Sequence, residues 1–547
     1  MIIASMFIES GKTYRCHLLR QSFRQNGKVK HRTLANLSHC SDEEIAAFKL
    51  ALKHKGNLAD LGSIEEISAK QGKRIGAVLC LNTIAERIGL SKALGYHRQG
   101  RLALWQVLAR CIGQGSRLGV VRLAESHSAC DLLGLDAFNE DDLYGNLAWL
   151  SEHQEAIERR LFRRCYGSVK PQLFLYDVTS SYLEGTENAL AAFGYNRDGK
   201  KGKMQLVIGL LTGEDGTPVA VRVFEGNTPD ARTVGEQVRI LAESFGVERV
   251  TVVGDRGMLK QVQTDALNEK GFHYITAITR AQIRRLLRED VFQMELFEGE
   301  ICEVESEGER YILRRNPQRA EEVRSTREGK LARVKRLVDK RNLYLAEHRQ
   351  ARVETAVRAI EAEVERLRIG EWVKVVVDER ALGVRVDEGV KEEVGRLDGC
   401  YVIKTDLPAE VATAETVHAR YKDLTQVERA FRTFKSGGLE VRPAFVRREE
   451  STRGHVFVVM LAYLVERELE RCWRGLETTV PEGIDELGSL RAVEIEAGGA
   501  RCQKVPKATG LSDQLLEAAD IHLPEMLPLR SVHVATRKKL VSRRLVS

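Results

Sequence analysis

Leu173–Gly185 reads LFLYDVTSSYLEG and places four apolar or aromatic residues directly before Asp177. A run this short and this apolar is typical of a buried β-strand. An ionised carboxylate beside such a strand needs a partner, because an unpaired charge is unstable away from water. The segment therefore predicts a buried strand whose aspartate is either a functional group or a polar residue that is hydrogen-bonded near the strand end.

A strand meander is predicted directly after this segment. Residues 204–211 (MQLVIGLL) and 218–225 (PVAVRVFE) have the composition of strands, with a glycine-containing turn between them. The sequence GNTPD then predicts the start of a helix that runs to about Phe245, with Thr228 as its N-cap and Pro229 in its first turn. Together with the first strand, these elements predict three strands followed by a helix.

A second aspartate follows the next predicted strand. The β-branched run 250–253 precedes Asp255, a helical pattern follows from Met258 to Lys270, and residues 273–279 (HYITAIT) indicate a further strand. Asp255 suits two roles, the N-cap of that helix or a second functional carboxylate. This order of elements predicts an α/β fold, a mixed sheet with helices on its faces, in which ligands bind near strand ends.

The stretch Tyr421–Lys435, YKDLTQVERAFRTFK, predicts an amphipathic helix. Tyr421, Glu428 and Lys435 are seven residues apart, almost two helical turns, and therefore share one face. A second face has the spacing of a buried stripe, formed by Leu424, Val427, Phe431 and Phe434. The segment is either an ordinary surface helix or a helix that presents Glu428 to a site shared with the two aspartates.

The three acids suggest a metal site. Asp177, Asp255 and Glu428 offer only hard oxygen ligands, which suit Mg²⁺ or Mn²⁺ better than zinc. Two such ions about 4 Å apart activate a water or a 3′ hydroxyl and stabilise the leaving oxygen of a phosphodiester. The acids therefore predict a two-ion site for phosphoryl transfer on a nucleic acid.

The blocks around these acids resemble a known family. DVTSS at 177, FEGNTPD at 224, VVGDRGM at 252, DGCYVIKTD at 398 and the helix at 421 occur in the order found in bacterial insertion-sequence transposases of the DDE class, which have an RNase H-like catalytic core. More narrowly, Tyr421, Glu428 and Lys435 resemble the signature of the branch named after Tyr, Arg, Glu and Lys (YREK). Leu424 stands where that signature has Arg.

The resemblance implies a DNA transposase that cuts at the ends of its own element and joins the 3′ hydroxyls to target DNA, by cut-and-paste through a hairpin. It implies Asp177, Asp255 and Glu428 as catalytic and metal-binding residues, with two Mg²⁺ or Mn²⁺ ions as cofactors. The implied partners are the terminal inverted repeats, target DNA and a second copy of the chain in a homodimer. The rivals are a nuclease of the same fold that cannot join DNA, and an inactive, transposase-derived DNA-binding protein.

Further candidates for DNA contacts are basic or lie near the acids. By resemblance, Tyr421 and Lys435 hold the DNA backbone near the cut, and Arg420 or Lys422 can replace the charge of the missing Arg. The other candidates are Arg432, Arg256, Lys200, Lys201 and Lys203, and in the N-terminal region Lys28, Lys30 and Arg32. The stretch GYNRDGKK at 194 nearly spells a phosphate-binding loop, but a strand follows it rather than a helix, so we reject an ATP site.

Charge distribution favours nucleic-acid binding. The chain of 547 residues has a net charge of +7, and residues 12–32 contain seven Lys or Arg and no acid. Residues 530–544 are also basic and free of acids. Such segments suit contacts with a phosphate backbone, with a solvated charged surface as the alternative.

Five regions are predicted from composition and motif positions. They are a basic, hairpin-containing DNA-binding region (1–60), a helical DNA-binding or dimerisation region (61–165), the catalytic domain (166–285 and 398–475), a mainly helical insertion (286–397) and a basic C-terminal region (476–547). Asn26-Gly27 predicts a hairpin turn, and Ser41 with Glu44 predicts a capping box. Residues 74–95 suit a helix-turn-helix or two packed core helices, and Trp372 suits base stacking or a core position.

Cysteine usage and hydropathy exclude other classes. The ten cysteines include no CxxC pair, which argues against a structural zinc site and favours a reducing cytoplasm. No signal peptide is visible, and the longest apolar run, residues 456–465, is too short to span a bilayer. The sequence therefore predicts a cytoplasmic protein without a membrane partner.

Overall fold

The structure, a computed structural model, describes residues 2–9, 13–56, 68–167, 169–195, 197–200, 202–248, 250–299, 301–436, 438–441, 446–497, 500–528, 530, 532–534 and 536. The chain divides into two compact units. The first consists of Met1–Ala85, Arg117–Glu140 and Glu468–Ser547, and the second of Glu86–Ser116 and Asp141–Arg467.

The strands, numbered along the chain, are β1 (Ile2–Glu9), β2 (Thr13–Gln25), β3 (Lys28–Asn36), β4 (Ser68–Arg74), β5 (Leu173–Tyr182), β6 (Gln205–Gly213), β7 (Pro218–Glu225), β8 (Thr251–Gly254), β9 (His273–Ala277), β10 (Cys302–Ser306), β11 (Glu309–Arg315), β12 (Val373–Asp378), β13 (Ala381–Val386), β14 (Cys400–Thr405), β15 (Arg491–Ala497), β16 (Ala500–Lys504) and β17 (Met526–Leu527).

The α-helices are α1 (Asp42–Lys53), α2 (Gly76–Arg87), α3 (Leu90–Leu94), α4 (Arg98–Ile112), α5 (Arg117–Ser126), α6 (Ala129–Leu133), α7 (Glu140–Tyr166), α8 (Asp230–Arg239), α9 (Gln261–Glu269), α10 (Arg280–Arg288), α11 (Pro317–Glu347), α12 (Val353–Leu367), α13 (Glu388–Arg396), α14 (Ala414–Lys422), α15 (Leu424–Ser436), α16 (Glu449–Cys472), α17 (Val480–Leu487) and α18 (Leu511–Ala518). A π-helical turn at Ile240–Ser244 follows α8, and a 3-10 turn lies at Met294–Phe297.

An eight-stranded sheet organises the second unit, in the order β10-β11-β14-β9-β8-β5-β6-β7. β5, β6 and β7 form an antiparallel meander, whereas β8 pairs parallel to β5 and β9 pairs parallel to β8. β14, β11 and β10 continue from β9 in antiparallel pairs. This mixed sheet with flanking helices confirms the predicted α/β, RNase H-like fold class.

The apolar runs of the sequence form strands because helices cover both faces of this sheet. β6 and β8 are buried along their whole lengths, as expected for strands without a solvent face. On one face, Phe162 of α7 stacks on Phe245 with ring centroids 4.2 Å apart, and Phe174 and Tyr176 of β5 belong to the same core. The side chains of alternate residues in β5 therefore fix its position, and with it the position of Asp177.

The helix after the meander starts one residue later than predicted. Pro229, with an extended backbone, is the N-cap of α8, and Asp230 is its first residue, so the prediction of Thr228 as N-cap is wrong. A proline has no N–H to donate, so it suits a position at the helix start. The predicted end near Phe245 is confirmed, because Phe245 caps the π-helical turn.

The N-cap interpretation of Asp255 is also wrong. α9 begins at Gln261 with Lys260 as its N-cap. Asp255 instead precedes a turn, in which the Met258 N–H donates to the Asp255 carbonyl oxygen at 3.0 Å. The carboxylate of Asp255 therefore does not cap α9.

The predicted, mainly helical insertion contains a helical hairpin, formed by α11 and α12. The hairpin packs with β12 and β13 around a separate apolar core. Trp372 belongs to this core and is only 3% exposed, so the core interpretation is confirmed and the proposed stacking on a base is wrong. β10 and β11, although within the predicted insertion, extend the main sheet.

The first unit contains a three-stranded antiparallel sheet, β1-β2-β3. Asn26 and Gly27 both have positive φ at the turn between β2 and β3, which confirms the predicted hairpin. The capping box of Ser41 and Glu44 is confirmed at α1. The prediction of a helical region over residues 61–165 fails at β4, which pairs with β15 in a second sheet.

α2 and α3 carry the segment that suited a helix-turn-helix. Most of their side chains are buried, which favours packed core helices over an exposed recognition helix. Among the described residues, no helix is both long and apolar enough to cross a membrane.

Candidate active site

The pairing of β5 with β8 brings the two aspartates together. The parallel register runs from Leu173 opposite Thr251 to Tyr176 opposite Gly254. The residue after the last pair is an aspartate on both sides, Asp177 in β5 and Asp255 directly after β8. Because paired residues of adjacent strands lie about 5 Å apart, the two carboxylates leave the sheet side by side.

Local hydrogen bonds orient both carboxylates. The backbone N–H of Val178 donates to Asp177 Oδ1 at 2.8 Å, and the backbone N–H of Arg256 donates to Asp255 Oδ1 at 2.8 Å. Each acid therefore retains its second oxygen, Oδ2, for a further ligand.

The third acid, Glu428, lies on α15, which packs on β5. The predicted stripe of Leu424, Val427, Phe431 and Phe434 is buried beneath this helix, while Glu428 is exposed. The chain is not one helix from Tyr421 to Lys435, because α14 ends at Lys422 and α15 begins at Leu424. Asp423 between them keeps a helical backbone, so α15 follows α14 without a loop.

The charges of Asp255 and Glu428 both act on Asp177. Burial, together with the negative charges of Asp255 and Glu428, raises the pKa of Asp177 to about 7, although Arg197 and the Val178 N–H act in the opposite direction. Like charges held together favour a proton or a cation, because either relieves their repulsion. The site is therefore poised to take up positive charge.

Tyr421 also belongs to this site. Its hydroxyl donates to Asp255 Oδ1 at 3.2 Å. Burial, together with the charge of Asp255, raises the pKa of Tyr421, so the phenol stays protonated and remains a donor at neutral pH. The predicted neighbourhood of Tyr421 and the acids is thus present, although the phenol contacts a carboxylate here.

Lys435, at the end of α15, forms an ion pair with Asp198 at 2.7 Å. Asp198 belongs to the segment between β5 and β6, which Arg197 also ties down. The backbone N–H of Arg197 donates to Ser180 Oγ at 2.9 Å, and its guanidinium donates to Asp230 Oδ2 at 2.5 Å. These contacts hold the segment beside the acids from two sides.

Sequence reasoning missed Arg197 and Asp198. Both lie in GYNRDGKK, where only the lysines were predicted to contact DNA. The signal that could have identified them is their place in the chain. They belong to the connection between β5 and β6, and β5 carries Asp177. Their partners, Asp230 and Lys435, are distant in sequence and become visible only in the folded chain.

The other basic candidates have different surroundings. Arg256, Lys422, Arg432 and Lys200 are exposed, and Lys200 lies over the ring of Tyr182 at 5.8 Å. Two candidates pair with acids, Lys203 with Glu184 at 2.8 Å and Arg420 with Asp423 at 3.4 Å. Lys28, Lys30 and Arg32 are exposed on β3 of the first unit. Lys201 lies outside the described residues.

The donor set fits a divalent cation by its chemistry. Asp177, Asp255 and Glu428 present carboxylate oxygens, the ligands that Mg²⁺ and Mn²⁺ prefer. Within the described part of the chain, no three acidic, His or Cys side chains stand close enough to form a ready-made cluster. Ion binding would therefore draw the carboxylates closer together, against the repulsion that raises the pKa of Asp177.

Comparison with known proteins first identifies the class of protein. Residues 169–465 match the family model described as a transposase DDE domain. This match spans more than half of the chain, and the chain therefore belongs to the DDE transposases, enzymes that act on DNA.

The particular group follows from the N-terminus. Residues 6–67 match the N-terminal domain of IS1634 family transposases, so the protein is an insertion-sequence DDE transposase. Among solved structures, the chain is similar to a piggyBac transposase in a synaptic complex with hairpin DNA, at 7% identity and a TM-score of 0.35 over 71% of this chain and 69% of that one. No curated protein matches the chain.

Proposed function

We propose that Asp177, Asp255 and Glu428 are the catalytic carboxylates of this transposase. In this proposal they cut DNA at the ends of the element and transfer the 3′ hydroxyls into target DNA by cut-and-paste. The observation that carries the proposal is the strand register, which sets Asp177 beside Asp255, together with the charge of Glu428 acting on Asp177.

Asp177 and Asp255 would hold the divalent ions, and Glu428 would complete the ligand set from α15. When bound, two such ions would polarise the scissile phosphate and lower the pKa of the attacking water or hydroxyl. The pairing of β5 with β8 positions the two aspartates, and the buried stripe of α15 positions Glu428 over β5. Asp177, whose pKa is about 7, must lose its proton before it can bind an ion.

Tyr421 and Lys435 would position the DNA backbone. In the described structure the Tyr421 hydroxyl and the Lys435 ammonium both contact carboxylates, of Asp255 and Asp198. Each is a donor that a phosphate oxygen can accept from, and a phosphate near the ions would compete for both. We further propose that two copies of the chain act together, because joining two ends of an element requires two sites.

The test uses Asp177→Ala, Asp255→Ala and Glu428→Ala proteins on a duplex that carries the inverted repeat found beside the coding sequence. Asp265→Ala is the matched control, because Asp265 is exposed on α9 and its recorded partner is the neighbouring Gln261. We expect the three site variants to lose cleavage and joining while still binding the duplex, and the control to retain all three. Full cleavage by any site variant would overturn the assignment, and cleavage without joining by the wild type would identify a nuclease.

A further inference from the structure

A cavity lined by arginines lies in the second unit, away from the three carboxylates. Its volume is about 780 Å³, and its walls come from the end of β11, the first turns of α11 and the segment around Asp398. Four arginines line it: Arg314, Arg315, Arg324 and Arg327. Three acids also line it, Glu298, Glu321 and Asp398, so the walls have an excess of positive charge.

The partners of these arginines leave part of that charge available. Arg327 pairs with Asp398, and Arg324 pairs with Glu321 at 2.5 Å on the protein surface. Arg315 is exposed, and its Nε donates to the backbone carbonyl of Asp398 at 3.2 Å, a neutral acceptor.

Arg314 likewise faces a neutral group. Its Nη1 lies 3.3 Å from His418 Nε2. Burial, with the nearby charges of Lys422 and Arg314, lowers the pKa of His418 to about 4, so the imidazole carries no charge at neutral pH. The guanidinium of Arg314 therefore keeps its full positive charge.

The strand register relates the position of Arg314 in the cavity wall to that of the acids along the strand direction. Successive pairs connect Tyr176 to Gly254, then to Thr276, Lys404 and Tyr311. β14 is antiparallel to both of its neighbours, so β11 runs in the same direction as β5.

β5 and β11 therefore run toward the same edge of the sheet. Asp177 follows the level of Tyr176 by one residue, and Arg314 follows the level of Tyr311 by three. Arg314 of the cavity wall and Asp177 therefore lie within about two residues of the same level along the strand direction.

The distance between the two places suits a duplex. β5 and β11 are four strands apart, which amounts to about 19 Å at the usual spacing of roughly 4.8 Å. Phosphates of one DNA strand follow each other every 3.4 Å or so along the axis, so this distance corresponds to about six base pairs.

Between the two places the edge is also basic. α10 starts after β9, a strand that lies between β8 and β14, and it carries the exposed residues Arg280, Arg284, Arg285 and Arg288. Arg280 also lies 3.9 Å from Asp398 of the cavity wall. Positive side chains therefore continue from the acids to the cavity.

We propose that Arg280, Arg314, Arg315 and Arg324 form a phosphate-binding track that holds the duplex of the element end about six base pairs from the cut. The proposal rests on the proposed function, since it takes the three carboxylates as the place of the cut. The partner is recognised by its regularly spaced phosphates, and the contact carries no base specificity.

The test compares two double variants that lose the same charge. Arg315→Gln with Arg324→Gln removes exposed members of the track, and Arg336→Gln with Arg358→Gln removes exposed arginines farther along α11 and on α12. The probe is a fluorescent duplex of the inverted repeat, titrated in EDTA so that no cleavage occurs. We expect the track variant to bind about tenfold more weakly and its salt dependence to decrease by about one to two ions, with the control unchanged.

A second probe tests the position. Methylphosphonates, which are neutral, replace single phosphates along the duplex. Those about six base pairs from the cut should weaken binding by wild-type protein but not by the track variant. Equal losses in the track and control variants, or equal effects of the neutral phosphates on both proteins, would overturn the track. Failure of the catalytic proposal would show separately, as cleavage by the Asp177→Ala protein, because the binding titration involves no cleavage.

Discussion

The hydroxyl of Tyr421 donates to Asp255 Oδ1 across a distance of 3.2 Å. The bond connects α14 to the end of β8, and burial with the charge of Asp255 keeps the phenol protonated. Asp255 is also a proposed metal ligand, so the phenol can serve the carboxylate in the metal-free protein and a phosphate oxygen when DNA and ions are bound. The same residue would then link ion binding to the placement of DNA.

Tyr421→Phe removes this donor and keeps the ring. We expect single-turnover cleavage to slow by about tenfold, because a hydrogen bond to a charged group contributes about 1.5 kcal/mol or more. Binding of the element end should change by less than about threefold, since phosphate contacts elsewhere supply most of the affinity. Tyr344→Phe, at an exposed position of α11, is the control. Unchanged cleavage by Tyr421→Phe would contradict a role of the hydroxyl at the site.

The ion pair between Lys435 and Asp198 should compete with DNA. Both side chains are partly exposed, at 24% and 20%, and pairs of this kind contribute only about 0–1 kcal/mol, so a phosphate can displace the acid. We expect Asp198→Asn to tighten DNA binding by about threefold at low salt. In the Lys435→Ala background the same change should have no effect. An equal gain in both backgrounds would mean that Asp198 acts by general repulsion and not through Lys435.

The stability of the metal-free protein should depend on pH through Asp177. The pKa of this residue is about 7 in the folded chain and 3.8 in the reference state, so the folded chain holds a proton that the unfolded chain releases between these values. The contribution of this group to the free energy of unfolding therefore falls by up to about 4 kcal/mol as pH rises from about 4 to about 7. Above about pH 7 it is constant. Asp177→Asn removes that contribution.

Thermal unfolding in EDTA at several pH values measures the effect. We expect the melting temperature of Asp177→Asn to exceed that of the wild type by a margin that grows from pH 5 to about pH 7. Asp265→Asn should show no such trend. A margin that shrinks with rising pH would show that Asp177 is ionised in the folded, metal-free protein.

A buried ion pair behind the site should be important for stability. Glu158 of α7 is fully buried, and both of its oxygens accept from Arg222 Nη1 at 2.9 Å. Burial raises the pKa of Glu158, while Arg222 and Gln154 act against it. Without Glu158, the buried guanidinium of Arg222 keeps only its longer contacts, to Glu236 at 3.5 Å and to Glu155 at 3.9 Å. We therefore expect Glu158→Leu to destabilise the protein by about 3 kcal/mol.

Urea unfolding measures this loss, and Glu155→Leu is the comparison, because Glu155 also faces Arg222 but is 43% exposed. That change should cost less than about 1 kcal/mol. Equal effects of the two substitutions would contradict a special role for the buried pair.

Local patterns predicted well the strands that carry or precede Asp177 and Asp255. Apolar runs identified β5 and β8, and the aspartates that follow these runs lie beside each other, because the parallel pairing of the two strands aligns them. The spacing of Leu424, Val427, Phe431 and Phe434 correctly predicted the buried face of α15. These signals are local, and burial of one face leaves a regular trace in the sequence.

Features that depend on distant partners were not predictable. The break at Asp423 and the position of the cap of α9 depend on backbone hydrogen bonds of single residues, which propensities resolve poorly. The polar sequence of β4 has no apolar pattern that indicates a strand. Its partner, β15, is more than four hundred residues away in the sequence. The ion pair of Lys435 with Asp198 joins segments that meet only in the folded protein.

The most direct test of the central claim is a change of metal specificity. Asp177→Cys, Asp255→Cys and Glu428→Cys each replace a hard oxygen with a softer sulfur ligand, which Mg²⁺ binds poorly. We predict that each variant loses cleavage of the element end in Mg²⁺ and regains part of it with a softer ion such as Mn²⁺ or Zn²⁺, whereas Asp265→Cys cleaves as the wild type does. Wild-type cleavage rates in Mg²⁺ for any of the three site variants would contradict the claim that these carboxylates bind the catalytic ions.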